Sequence, residues 1–134
     1  MKTSIAVLLC GIAVLFCAAP LFAHHSFSAE FDGKQRIQLT GVVTKIEWTN
    51  PHVWFYVNVM DEATGKLVNW GAEMGSPNAL IRTGWTRNTM KVGMVVSFNG
   101  SRSKDGSYRV NTSSVSVDGK KLGAASSENQ PEQP

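Results

Sequence analysis

Cysteine is nearly absent from this chain. It holds two in 134 residues, and both, Cys10 and Cys17, fall within the first apolar stretch. Downstream of that stretch there is no thiol to act as nucleophile, metal ligand or disulfide partner, so thiol enzymes and disulfide-stapled folds are excluded. Charge of one sign is also scarce. Thirteen Lys and Arg face ten Asp and Glu, for a net charge of +3. The basic residues are scattered from Lys34 to Lys121, whereas nucleic-acid binding calls for a clustered stripe. Catalytic signatures are missing too: there is no phosphate-binding loop, no dinucleotide fingerprint, no HExxH string and no nucleophile-elbow pattern. Glu47, Asp61, Glu62 and Glu73 fall in no motif that pairs carboxylates. These absences point to a binding protein rather than an enzyme.

The only long apolar run stands at the start. Lys2 precedes SIAVLLCGIAVLFCAA, Pro20 breaks the run, and Ala23 follows with Leu21 at the −3 position. This is the pattern of a secretory signal cleaved after Ala23, and it predicts a periplasmic or secreted protein. The run falls short of the roughly 20 apolar residues that span a bilayer. A lipid anchor on Cys17 is disfavoured by the bulky Phe16 before it. Residues 24–36 then read as an N-terminal arm, 37–122 as one domain, and 123–134 as a disordered tail, since GAASSENQPEQP has too little apolar surface to order itself.

Within 37–122 the punctuation is that of short strands. IQLTGVVTKIEW is β-branched, with Gly41 at an expected bend or bulge. HVWFYVNVM alternates, with Val53, Phe55, Val57 and Val59 on one face and His52, Trp54, Tyr56 and Asn58 on the other. DEATGK is a turn and LVNWGAEM a third strand. Ser76 and Pro77 open a short helix that Gly84 ends, with Leu80 and Ile81 as its buried residues. MVVSFNG and YRVNTSSVSV complete the set, joined by the Asp-Gly turn at Asp105. The order β-β-β-α-β-β predicts an all-β domain with one short helix, a small OB-fold-like five-stranded barrel.

Taken together, HHSF, TGVVTKIEWTNPHVWFYVNV, NWGAEMGSPNALIRTGW and FNGSRSKDGS resemble a family of small exported bacterial proteins that carries only the label of a domain of unknown function. The resemblance covers nearly all of residues 24–134 and implies an exported β-rich domain, but it brings no established site residues. The strand order is more distantly similar to small periplasmic OB-fold proteins, some of them linked to stress tolerance.

Two candidate sites follow. OB-folds bind oligonucleotides and oligosaccharides over strands two and three, which selects Trp54 and Tyr56 with Asn69 and Glu73. For an exported protein, a small ligand, glycan or envelope protein fits that face better than nucleic acid. The competing reading has the helix or arm cover Trp54 and Tyr56 as a second core, while Trp48 and Trp85 read as packing residues. The second candidate is a metal site. Cleavage after Ala23 would free an amine on His24, which with its ring nitrogen and an imidazole from His25 or His52 suits Cu(II). Cleavage one residue earlier would put His25 third, a spacing that wraps Cu(II) or Ni(II). The first arrangement resembles the amino-terminal histidine brace of exported copper proteins, on its first residue alone. A copper-dependent redox enzyme on that chelate is the third reading. The bland alternative is a short mobile arm that binds no metal, with Phe27 and Phe31 simply pinning it to the barrel.

Overall fold

Strict alternation commits residues 53–59 to a strand, because every second side chain must leave water together. In the computed structural model, which describes residues 26–129, Val53, Phe55 and Val57 are fully buried. The expectations for the leader, its cleavage site, His24 and His25 lie outside the described residues, as do residues 130–134. The elements are helix α1 (Ser26–Glu30), strands β1 (Phe31–Glu47), β2 (Trp54–Asp61) and β3 (Lys66–Glu73), helix α2 (Pro77–Arg82), strands β4 (Val95–Ser103), β5 (Arg109–Val117) and β6 (Lys120–Gly123), and a 3-10 turn (Ser127–Asn129). Among the described residues no helix is long and apolar enough to cross a membrane.

The sheet runs β3-β2-β1-β4-β5-β6, and a short parallel pairing of β3 with β5 closes the first five strands into a ring. That closure rests on Gly71, Ala72 and Glu73 alone, opposite Arg109, Val110 and Asn111. The molecule is therefore a mainly antiparallel sheet curled on itself, not a fully laced barrel. The helix lies between the third and fourth strands, as the sequence order requires. Phe55 meets Phe98 edge-on at 5.3 Å inside the ring, and Trp70, Met74, Leu80, Trp85 and Val115 join the same core.

Several local expectations are corrected. Gly41 marks neither bend nor bulge: it pairs regularly with Val59 and Val96, and the irregularity falls between Val43 and Lys45. A Cβ on Gly41 would stand 2.1 Å from the Asn58 carbonyl oxygen, so glycine is required there by close backbone approach. In α2, Ser76 caps the helix by accepting from Ala79 N at 3.3 Å. Leu80 is buried, but Ile81 is 56% exposed, because a six-residue helix turns only one side inward. The arm of residues 24–36 is not separate from the sheet, since β1 begins at Phe31 and pairs with β4 from there.

The tail is corrected as well. A sixth strand follows Asp118-Gly119, both at positive φ, the geometry of a tight hairpin turn. Beyond it Gly75 N donates to Ala124 O at 2.8 Å and Ala124 N to Ser113 O at 2.9 Å. Trp85 Nε1 donates to Gly123 O at 2.8 Å. Glu128 pairs with Arg36 and accepts from Ser101 and Ser113 hydroxyls at 2.8 Å. Residues 123–128 hold through polar contacts and small buried side chains, which hydrophobic composition does not reveal.

Candidate functional site

The outward face of β2 carries Trp54 and Tyr56, with His52 just before the strand. Antiparallel register then fixes their neighbours on β3: Trp54 stands opposite Glu73, Tyr56 opposite Gly71, and Asn58 opposite Asn69. Directly opposed residues share a face. Four residues chosen from alternation and fold analogy, Trp54, Tyr56, Asn69 and Glu73, thus fall together on one surface with His52. Trp54 and Tyr56 are half-buried, neither free-standing nor part of the inner core.

Gly71 shapes the middle of this surface. A Cβ there would meet Tyr56 Cε1 at 3.3 Å and Trp54 Cζ3 at 3.6 Å, so its absence lets both rings lie close to the sheet. The ring centroids are 6.4 Å apart and the planes differ by 21°. Tyr56 is tied at its far end, where its hydroxyl donates to Glu47 Oε2 at 3.1 Å and Lys45 Nζ stands 5.3 Å from the ring centroid. The Lys45 ammonium, and then the Tyr56 hydroxyl, hold Glu47 below the ordinary glutamate range. Burial, and then Glu47, push the Tyr56 phenol up. On the other rim, Asn69 Nδ2 donates to Asn58 Oδ1 at 2.9 Å and to Thr44 Oγ1 at 3.1 Å.

Two cavities meet along Trp54 and Arg109. One, of about 270 Å3, is lined by Phe27, Glu30, Phe31, His52, Trp54, Glu73, Arg109 and Ser127. The other, of about 390 Å3, is lined by Trp54, Tyr56, Asn69, Gly71, Tyr108 and Arg109. In the first, His52 Nδ1 pairs with Glu73 Oε1, a contact that needs a proton on one of the two atoms. Burial raises the affinity of Glu73 for that proton, and the nearby Glu30 raises it further, while His52 and Arg109 oppose the shift. Arg109 lies 3.8 Å from Glu30 and 3.9 Å from Asp105, and over the Phe31 ring at 5.9 Å. Among the described residues no group of three or more His, Cys, Asp or Glu side chains is placed to hold a metal.

Several lining residues were not foreseen. Tyr108 and Arg109 read in sequence only as the start of the last strand after its hairpin turn, and they reach the site only because β5 pairs with β3, a contact between residues far apart in the chain. Glu30, Phe27 and Phe31 come from the arm, where Phe27 and Phe31 stack at 6.1 Å and Phe31 is buried. Phe27 and Phe31 are already expected from the sequence to pin the arm to the barrel, so of these three only Glu30 came without a signal.

Fold and site together define a small, mainly antiparallel β domain with an aromatic cleft of mixed charge across β2, β3 and β5. The chain belongs to the family of unknown function DUF6152, whose model matches residues 13–112. That span includes every cleft residue named above except Ser127. No curated protein matches the chain. Among solved structures it is similar to the ZRD-deleted mutant of TiaS in complex with agmatine, at 18% identity and a TM-score of 0.43. The match covers 77% of this chain and 25% of that one, a likeness too slight to carry fold or function across.

Proposed function

We propose that this chain is an exported, periplasmic binding protein that holds its ligand in the cleft along Trp54 and Arg109. The observation that carries the reading is the pair of adjoining cavities sharing those two residues, with aromatic rings left half open to them. Aromatic walls with a few convergent polar groups are the usual make-up of a ligand site. Export is supported by the charged, apolar and small-residue order of residues 1–23. The test is native mass spectrometry of the protein after incubation with the solubilised envelope fraction of an exporting cell. A bound species is expected on the wild type and lost from Trp54→Ala. No bound species, or one retained by the variant, counts against the reading.

A specific observation also favours the second reading, a Cu(II) or Ni(II) site using His24 with His25 or His52. Metal-binding imidazoles usually hold a carboxylate on their other nitrogen, and Glu73 occupies Nδ1 of His52. Nε2 is thereby the nitrogen His52 has to offer. Helix α1 begins one residue after His25, and its Phe27 lines the same cavity as His52. Intact-mass analysis of the exported protein gives the cleavage point. Cu(II) calorimetry should then show a tight site lost in His24→Ala; binding unchanged by that substitution would sink the metal reading.

A further inference from the structure

We infer that the free edge of β3 takes up one strand of a partner polypeptide, an extended segment with apolar side chains at alternate positions. The inference names a partner for the binding reading above and rests on it for the outer of its two pockets. β3 pairs with β5 only from Gly71 to Glu73. Among the described residues no strand pairs with that side of residues 66–70. Gly71 N donates across the seam to Tyr108 O at 2.9 Å. Backbone groups alternate in direction along a strand, so Leu67 and Asn69 send their N–H and C=O groups to the same side, where no strand stands.

Edges of this kind are normally blunted, and the opposite edge of the sheet is. On β6 both Lys120 and Lys121 are exposed. At its end Trp85 Nε1 donates to Gly123 O and Gly75 N to Ala124 O, both at 2.8 Å. β3 carries one lysine, Lys66, at its first residue. Beside it Leu67 is 61% exposed, and Met60, directly opposite on β2, is 54% exposed. An open edge next to an exposed apolar pair is a template for strand addition.

Side chains of an added strand alternate between the two faces of the sheet, and each face has a cavity beside this edge. The inward one, of about 200 Å3, is lined by Leu39, Val59, Val68 and Trp70 and suits an aliphatic side chain. The outward one, of about 390 Å3, is bounded by Trp54, Tyr56, Asn69 and Gly71 and has room for a larger group. Tyr108 belongs to both, with its ring edge-on to Trp70 at 5.2 Å. Backbone bonds to the edge supply affinity in such a complex, and alternate pockets supply specificity. A second copy of β3 would satisfy the backbone but not the inward cavity, because its own Val68 and Trp70 are packed in its own core. A partner segment that is not already part of a core has side chains for both pockets.

The experiment selects a phage-displayed library of random ten-residue peptides on the full chain, then follows backbone amide exchange with the selected peptides bound. Those peptides should carry apolar residues at every second position. They should slow exchange at the Leu67 and Asn69 amides about tenfold or more, as new backbone hydrogen bonds do. Leu67→Pro removes one outward N–H and leaves the β2 ladder intact, so it should weaken binding about tenfold or more. Leu67→Ala keeps that N–H and should weaken binding less. If Leu67→Pro does not fold, exchange at the two wild-type amides decides alone. The inference is overturned if no peptide is selected, if the selected ones show no alternation, if both amides stay unprotected, or if Leu67→Pro binds as well as wild type. A concentration-dependent dimer that protects the same amides without peptide gives the edge to a second copy and overturns the partner peptide. Failure of the peptides with a Trp54-dependent envelope species intact leaves the binding reading standing. That reading fails on its own terms if the envelope fraction yields no such species.

Discussion

Tyr56 lies directly across from Gly71 in the β2–β3 register, and its ring passes 3.3 Å from where a Cβ of residue 71 would stand. The contact is with a side-chain edge and not with backbone, so a small addition can be absorbed by tilting the ring. Gly71→Ala should be nearly neutral. Gly71→Val brings two more methyl groups against both rings and should cost about 1–3 kcal/mol of stability through overpacking. It should also push the Trp54 and Tyr56 rings from their places and weaken ligand binding in the envelope-fraction assay. Urea unfolding and that assay check both halves; unchanged binding in Gly71→Val would mean that the placing of the two rings over Gly71 is incidental.

Trp54 and Phe55 are chain neighbours with opposite jobs, and their truncations should separate. Phe55 is fully buried against Phe98, and Phe55→Ala should cost about 3–5 kcal/mol. Trp54 faces the cavities and is half-buried, so Trp54→Ala should cost less than half of that. Denaturant midpoints with an unchanged slope decide the matter. An equal loss for both would show that Trp54 is a second core residue, the competing reading of this face.

What the sequence made legible was set by the range of each signal. Alternation from Val53 to Val59 fixed which side of β2 faces water, and with it Trp54 and Tyr56, because a period of two is a purely local property. The Ser76-Pro77 helix start was legible for the same reason. Arg109 was not, since its place beside Trp54 depends on a parallel pairing between β3 and β5 that no local pattern encodes. Residues 123–128 escaped because they are held by backbone contacts and by Glu128, in a segment whose composition reads as solvated. The Asp118-Gly119 turn carried the same signal as Asp105-Gly106 and was readable. The strand after Asp118-Gly119 is only four residues long, too short for alternation to mark it as a strand.

Asp105 gives the hairpin between β4 and β5 a pH dependence of known sign. Its carboxylate accepts from the Ser103 hydroxyl and from Ser107 N at 2.9 Å, and these bonds hold its pKa well below the ordinary aspartate range. A pKa lower in the folded than in the unfolded state adds stability above the unfolded value, and that stability is lost as pH falls below it. Asp105→Asn should therefore lower the urea midpoint at neutral pH, and the gap from wild type should narrow in acid below the usual aspartate range. A gap that is constant with pH would mean the carboxylate contributes shape and not charge.

Glu128 decides whether the C-terminal segment is part of the fold. Its carboxylate takes the Arg36 guanidinium together with hydroxyls from Ser101 and Ser113, and Ser101 is fully buried. Removing the carboxylate leaves that buried hydroxyl short of an acceptor, a defect worth about 1–3 kcal/mol. Glu128→Ala should lose stability on that scale. Arg36→Ala should lose some of the same energy, because the guanidinium also donates to Ser113 Oγ at 2.9 Å. The double substitution should then cost less than the sum of the two, as expected for groups in one network. Strict additivity, with each single loss inside about 0.5 kcal/mol, would show that residues 123–128 rest on the domain without holding it.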